Sequence, residues 1–440
     1  MIRRMVTNPI PQFPAGFLWG VSTSAHQIEG AAGEREPSVW DAFTAEPGRV
    51  KDGSTAAVAC DSYHRYREDV ALLAGLGVDA YRFSISWPRV NSPGGLDYYD
   101  RLVDELCGAG VRPVPTLFHW DLPASLDWLE RDTASRFAEY ASVVAERLGD
   151  RVTKWITLNE PAEHTLLGHA LGTHAPGRRL MFGALPVAHH QLLAHGLAVR
   201  ALRAAGAADI GIANSHGPTW PASRSQEDVE AAEFYDVLLN RLFSDPLLLG
   251  HYPEGIGALL PGDVEADLKV IAEPVDWYGI NYYAPVKVGA PQGTEIEFGG
   301  LTLPAGLPFS VREIEGHPVT DFGWPVVPEA LTELLTGFRE RYGDRLPPIV
   351  ITENGCSYEG VDDQERIAYL DGHIRALHRA VEAGVDVRGY FVWSLLDNFE
   401  WAEGYAQRFG LVHVDFEDGS LARTPKASYA WLRDALRARR

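Results

Sequence analysis

Short apolar runs, each followed by a longer amphipathic stretch, recur along all 440 residues of the chain. Parallel strands can be joined only through a crossover, usually a helix, so strict alternation of the two points to a parallel α/β fold. Strands are predicted near 17–23, 80–86, 112–120, 154–160, 210–215, 277–283, 348–353 and 387–395, with helical stretches such as 62–76, 134–148, 328–342 and 363–383 between them. A last helix is predicted at 426–438. Eight such units predict a (β/α)8 TIM barrel, with residues 1–440 read as one domain.

A plain barrel needs only about 250 residues, so this chain is expected to carry enlarged βα loops. The largest, 284–327, is rich in Gly and Pro and weakly periodic. Loops of this length inside a compact protein usually have a function, and this one has too few apolar residues to hold a core of its own.

Composition narrows the partners. With 46% hydrophobic and 22% charged residues the chain is expected to fold, and its formal charge of −21 disfavours nucleic acid and anionic membrane surfaces. No run of 18 apolar residues predicts a membrane span. The basic start Met1-Ile-Arg-Arg is followed by Thr7, Asn8, Pro9, Pro11 and Gln12, which break the apolar stretch a secretion signal needs. Three cysteines, Cys60, Cys107 and Cys356, form no C-x-x-C pair and suggest a reducing cytoplasm rather than a disulfide framework or a zinc site.

In a barrel of this kind the chemistry collects at the C-terminal ends of the strands. Those ends are unusually polar and aromatic here: Thr157-Leu-Asn-Glu-Pro161, Ile351-Thr-Glu-Asn-Gly355, Leu117-Phe-His-Trp-Asp121, Asn281-Tyr-Tyr283, Trp393 leading to Asp397-Asn-Phe-Glu-Trp401, Gln27-Ile-Glu-Gly30, and Arg82 in the second strand. Two glutamates on different strands, ringed by amides, aromatics and an arginine, suit cleavage of a glycosidic bond. One carboxylic acid protonates the leaving oxygen while the other stabilises or attacks the oxocarbenium-like carbon. Tryptophan faces stack on sugars, with Trp120, Trp393 and Trp401 the best placed, and the amides, His and Glu bond hydroxyls. Either glutamate alone would more often be a solvated charge.

The sequence resembles the family 1 glycoside hydrolases, the β-glucosidase group. The likeness runs from Phe17-Leu-Trp-Gly through Asp61-Ser-Tyr-His-Arg-Tyr, Tyr81-Arg-Phe-Ser-Ile-Ser-Trp-Pro-Arg89 and His119-Trp-Asp-Leu-Pro123 to Arg423-Thr-Pro-Lys426. Its most specific part is the ordered pair of Thr-Leu-Asn-Glu-Pro and Ile-Thr-Glu-Asn-Gly motifs. The resemblance implies a retaining β-glucosidase acting on terminal non-reducing β-D-glucosyl residues, cellobiose included, with β-galactosyl or β-fucosyl residues as further candidates. It implies Glu160 as acid/base, Glu353 as nucleophile, and Gln27, His119, Asn159, Trp393, Glu400 and Trp401 as sugar contacts. Arg82 and Tyr283 would keep the nucleophile ionised, with Asn281 supporting the site, and the two carboxyls would lie about 5–5.5 Å apart. The partner is then a small β-glucoside or oligosaccharide, with no cofactor and no metal. Two alternatives on the same fold are a catalytically weak glycan-binding protein and a transglycosylase.

Within the resemblance, Glu400 beside Trp401 disfavours phosphorylated sugars, since a carboxylate repels phosphate. Glu160 disfavours the thioglucosidases, which have Gln there. Ala162 stands where Trp is frequent, His26 where Tyr is usual, and 90–98 and 123–129 are short. Trp324 is the candidate for aglycone contacts that Ala162 cannot make. His164, His169 and His174 recur every five residues, and five residues overshoot an α-helical turn by about 140°, so the three are not expected to share a face or hold a metal. His189, His190 and His195 are read as surface or packing residues and Cys356 as packing. The sequence leaves the oligomeric state open.

Overall fold

The computed structural model describes residues 10–298 and 301–439. The basic start of the chain, on which the leader reading falls, lies outside them, apart from Pro11 and Gln12. Eight strands, β1 (Leu18–Ser22), β2 (Ala80–Ser84), β3 (Arg112–Phe118), β4 (Trp155–Asn159), β5 (Ile210–Ser215), β6 (Trp277–Asn281), β7 (Ile349–Asn354) and β8 (Val387–Trp393), pair in parallel in chain order. β8 closes on β1, with Leu18 opposite Gly389 and Ser22 opposite Trp393. The chain is a TIM barrel.

The barrel is plugged by one residue from each strand: Leu18, Ala80, Val114, Ile156, Ala213, Trp277, Val350 and Phe391. Two rings this large fit only where their neighbours are small. A Cβ on Gly20 would run into the ring of Phe391. Above this apolar layer the inward positions turn polar, with Arg82, Thr116, Asn281 and Thr352 all buried. That change of character marks the floor of the site.

The helices at Ser62–Leu76 and Pro328–Tyr342 fall where periodicity places them, and those at Asp132–Leu148, Gln364–Glu382 and Ala427–Ala438 differ by at most two residues at either end. A further helix, Leu185–Ala204, has 14 buried residues and packs against Asp132–Leu148 and Val264–Ile271. Buried on nearly every side, it shows little amphipathic period.

Several strands end one or two residues before the predicted limit: β2 at Ser84, β3 at Phe118, β4 at Asn159, β6 at Asn281 and β8 at Trp393. The stretch 284–327 contains Val286–Gly289, Ile296–Phe298, Leu301–Leu303 and Ser310–Arg312. Strands so short leave almost no alternation in a sequence. Their core is borrowed: Leu303 and Val311 pack with Leu167 and Leu171, and Phe309 and Val288 with Ala231 and Ala232.

The expectation for the histidines needs correction. His164–Leu171 is a π-helix, whose i→i+5 bonding stacks residues five apart. The rings of His164 and His169 therefore lie 5.0 Å apart, and His174 is close enough to His164 to depress its proton affinity. Burial keeps His169 and His174 near a pKa of about 4. Among the described residues no group of three His, Cys, Asp or Glu is arranged to hold a metal ion. His189, His190 and His195 are buried, bonded to Asp267, the Trp128 carbonyl and Thr157. No described helix is long and apolar enough to cross a membrane.

Candidate active site

The two glutamates stand on the same rim of the barrel, in a cavity of about 270 Å³, and local irregularities aim them there. The β4–β5 pairing slips between Ile156 and Asn159, and Glu160 follows with φ 45° and ψ 60°, a left-handed conformation uncommon outside glycine. Its N–H donates to the Ala213 carbonyl at 2.8 Å and its carbonyl accepts from His164 at 3.1 Å, so the strained residue is pinned from both sides. On β7 the register slips between Ile351 and Glu353 against β6, which brings Glu353 opposite Asn281. Gly355 is required just beyond, because a Cβ there would overlap the Trp393 carbonyl.

Glu353 is 3% exposed. An Arg82 guanidinium N–H donates to its Oε1 at 2.5 Å, and the Tyr283 hydroxyl donates to its Oε2 at 2.6 Å. Arg82 is itself fixed by the Thr116 hydroxyl at 3.1 Å, the Thr352 carbonyl at 3.0 Å and Asn159 Oδ1 at 2.6 Å. Burial pushes the proton affinity of Glu353 up, while Arg82, Tyr283 and Asn281 pull it back, and the net direction is upward. These contacts therefore offset only part of the effect of burial on the ionised carboxylate that the resemblance implies.

Glu160 is 6% exposed and has weaker partners. The Asn281 amide donates to Oε1 at 2.9 Å and the Asn159 amide to Oε2 at 3.4 Å. Burial first, then the negative charges of Glu353 and Glu163, hold its carboxyl well above the usual range. Of the two, Glu160 is the one kept protonated.

The remaining predicted residues are gathered around this pair. Asn159 ties the network together: its Oδ1 accepts from Arg82 and from Asn281 at 3.0 Å, and its amide faces His119 Nε2 at 3.1 Å. Burial and Arg82 hold His119 well below its ordinary pKa, so it is a neutral imidazole. Trp120 donates its indole N–H to the Asn159 carbonyl at 3.1 Å and packs on Trp401 at 4.7 Å. The His119 ring lies between Trp393 at 5.8 Å and Trp401 at 5.9 Å. Gln27 donates to Glu400 at 3.2 Å and to Asn398 at 3.0 Å. Burial, with the charges of Glu353 and Glu403, pushes Glu400 up to about 8. Trp324 is half-buried on the cavity wall beside Tyr283 at 5.2 Å and Phe322 at 4.4 Å.

Four residues that join this network were not singled out in the sequence. Thr116 orients Arg82, the Thr352 hydroxyl donates to Asn281 Oδ1 at 2.6 Å, Asn398 accepts from Gln27, and Glu163 raises Glu160. Thr116 did carry a signal, being a hydroxyl among the apolar residues of its strand end, whereas Thr352 stands within the polar Thr-Glu-Asn run of its own. His26, noted only as a departure, stacks on Trp401 with the rings 3° from parallel.

A deeply buried carboxylic acid beside a carboxylate held by a guanidinium and a phenol, at the C-terminal mouth of a barrel, defines a glycoside hydrolase. The model of glycosyl hydrolase family 1 matches residues 10–440. Beta-glucosidase A of Acetivibrio thermocellus is 42% identical over 97% of this chain and 98% of its own length. The bifunctional beta-D-glucosidase/beta-D-fucosidase of Bifidobacterium breve is 42% identical over 96% and 97%. Among solved structures, the psychrophilic beta-glucosidase of Micrococcus antarcticus superposes with a TM-score of 0.92 at 43% identity, covering 98% of this chain and 100% of its own. The chain belongs to glycosyl hydrolase family 1.

Proposed function

We propose that the protein is a retaining β-glucosidase that releases terminal non-reducing β-D-glucosyl residues, with Glu160 as acid/base and Glu353 as nucleophile. The observation that carries this reading is the unequal setting of two buried carboxyls on one rim. Glu353 receives a guanidinium and a phenol, whereas Glu160 receives only amides and faces two further carboxylates.

In the first step Glu353 attacks the anomeric carbon as the bond to the leaving oxygen breaks, and Glu160 gives its proton to that oxygen. The product is a glycosyl ester on Glu353 and a free alcohol. Esterification removes the charge at position 353, one of the causes that raise Glu160, so the acid/base loses proton affinity just when it must act as a base. Water then attacks the same carbon, its proton passes to Glu160, and Glu353 leaves as a carboxylate. Two displacements return the β anomer, and the carboxyl separation suited to this route is about 5–5.5 Å. Gln27, His119, Asn159, Glu400 and the faces of Trp120, Trp393 and Trp401 hold the glucosyl unit, while Arg82, Asn281 and Tyr283 position the nucleophile. The residues of the chain act as one catalytic domain, and its unpaired cysteines suit a cytoplasmic setting.

A β-fucosyl side activity is favoured by the 42% identical bifunctional relative. The test is release of 4-nitrophenol from the β-D-glucoside, run beside the β-fucoside, β-galactoside, 6-phospho-β-glucoside and α-glucoside, on the wild type and Glu353→Ala. Release from the β-glucoside that vanishes in the variant supports the assignment. An α anomer as first product in an NMR time course refutes the retaining route.

A further inference from the structure

The cavity continues past the two glutamates, and its character changes. Around Glu353 and Glu400 it is aromatic and polar, with His119, Trp393 and Trp401 close by. On the leaving-group side it is bounded by two elements. The π-helix that follows Glu160 contributes Leu166, Leu167 and Leu171, and the excursion 284–327 contributes Leu303, Leu307 and Val311. Leu167, Leu171, Leu303 and Val311 pack together as one buried cluster, with Leu166 and Leu307 half-buried at its edge. The wider turn of the π-helix, with its i→i+5 bonding, brings residues five apart such as Leu166 and Leu171 to one side.

Most of the polar groups bordering this wall are already engaged with one another, the exceptions lying at His174, whose Nδ1 has no partner, and at Tyr235. His216 Nδ1 meets Asn240 Oδ1 at 3.0 Å and its Nε2 meets the Tyr278 hydroxyl at 2.9 Å. The Asn240 amide donates to the Gly217 carbonyl at 3.1 Å and to Asp236 at 2.7 Å, and Glu163 is engaged with Ser215. A second sugar ring placed here would give up water at several hydroxyls and find few partners. An apolar group gains from the same surface.

From this wall we infer that the preferred leaving group is an alkyl or alicyclic alcohol rather than a second sugar, seated between the π-helix and the 301–312 segment. The inference rests on the β-glucosidase reading of the same site. It is tested by kcat/KM for methyl, butyl, hexyl and octyl β-D-glucosides, kept below micelle formation, and for cellobiose, with 4-nitrophenyl β-D-glucoside as the control for the reaction itself. Each added methylene is expected to raise kcat/KM about two- to fourfold, from about 0.8 kcal/mol per buried CH₂. Octyl glucoside then exceeds cellobiose by more than about tenfold. Leu307→Asn and Leu166→Asn, two separate edge positions, should each flatten the chain-length series, read as the octyl-to-methyl ratio within each variant. A flat wild-type series, or cellobiose matching octyl glucoside, overturns the inference while leaving the reaction standing. No release from the nitrophenyl glucoside overturns the reading on which it rests, and the inference with it.

Discussion

Tyr283→Phe separates the ionisation of Glu353 from its placement. The phenol donates to Glu353 Oε2 at 2.6 Å, and the same ring packs beside Trp324 at 5.2 Å and Phe409 at 6.4 Å, contacts a phenylalanine keeps. A hydrogen bond to a charged group contributes about 1.5–3 kcal/mol, and about 1.4 kcal/mol corresponds to one pKa unit. The bond stabilises the ionised carboxylate, so its loss should raise the proton affinity of Glu353 by about 1–2 units. The acid limb of the kcat/KM profile, which reports the free enzyme, should move to higher pH by that amount. On the alkaline side Glu160 should lose protons no later than in the wild type, because a more protonated Glu353 repels its charge less. The bell narrows from the acid side, its two apparent values belonging to the coupled pair. Initial rates on 4-nitrophenyl β-D-glucoside across both limbs measure this. An acid limb that stays in place or moves to lower pH would refute the claim that Tyr283 sustains the charge of the nucleophile.

Glu160→Ala should lower kcat about 10²- to 10⁴-fold for poor leaving groups and far less for a dinitrophenyl glucoside, which leaves without a proton; equal losses for both would remove Glu160 from the acid's role. Glu400→Gln should stabilise the empty protein increasingly as pH rises. Burial raises the wild-type carboxyl from an ordinary value of 4.5 to about 8, so its folded form must hold a proton the unfolded chain gives up across that window, and the variant's advantage grows there to at most about 5 kcal/mol. Thermal melts at a series of pH values check it, and a difference that is constant with pH contradicts it. Trp324→Ala should raise KM for aryl β-glucosides about five- to tenfold through the lost ring contact, and unchanged kinetics across aryl and disaccharide substrates would exclude Trp324 from the leaving-group side.

The barrel was legible because its strands are buried on both faces and therefore read as apolar runs. The polar residues at their ends were legible for the complementary reason: Asn159, Glu160, Asn281 and Glu353 interrupt that pattern where a core has no use for them. What could not be read is how the chain turns there. The left-handed backbone of Glu160, Trp120 and Trp401 leaves no mark in residue type, since each conformation is imposed by neighbours far away in sequence. The π-helix is equally silent, because His164–Leu171 holds residues an α-helix would also accept. Its winding decides both that His164 meets His169 and that Leu166 shares a side with Leu171. The wall proposed to face the leaving group was hidden twice over, Leu303 and Val311 lying in three-residue strands whose packing neighbours sit on the π-helix.

Four carboxyls, Glu160, Glu163, Glu353 and Glu400, line this cavity, and Arg82 is the guanidinium bonded to one of them. One cation can offset one carboxylate, so the site retains protons above the usual range of glutamic acid. Which carboxyl yields first is decided by contacts as well as burial, since Glu160 and Glu353 are buried and Glu163 and Glu400 partly so. Arg82 and Tyr283 spend their donors on Glu353, Gln27 offers Glu400 one amide, and Glu160 has amides from Asn281 and Asn159 against two neighbouring charges. The same arithmetic explains why the network around Arg82 is so heavily tied. Thr116, Thr352 and Asn159 fix the guanidinium, and a shift of its position would move the negative charge to another of these carboxyls, against the roles proposed for Glu160 and Glu353.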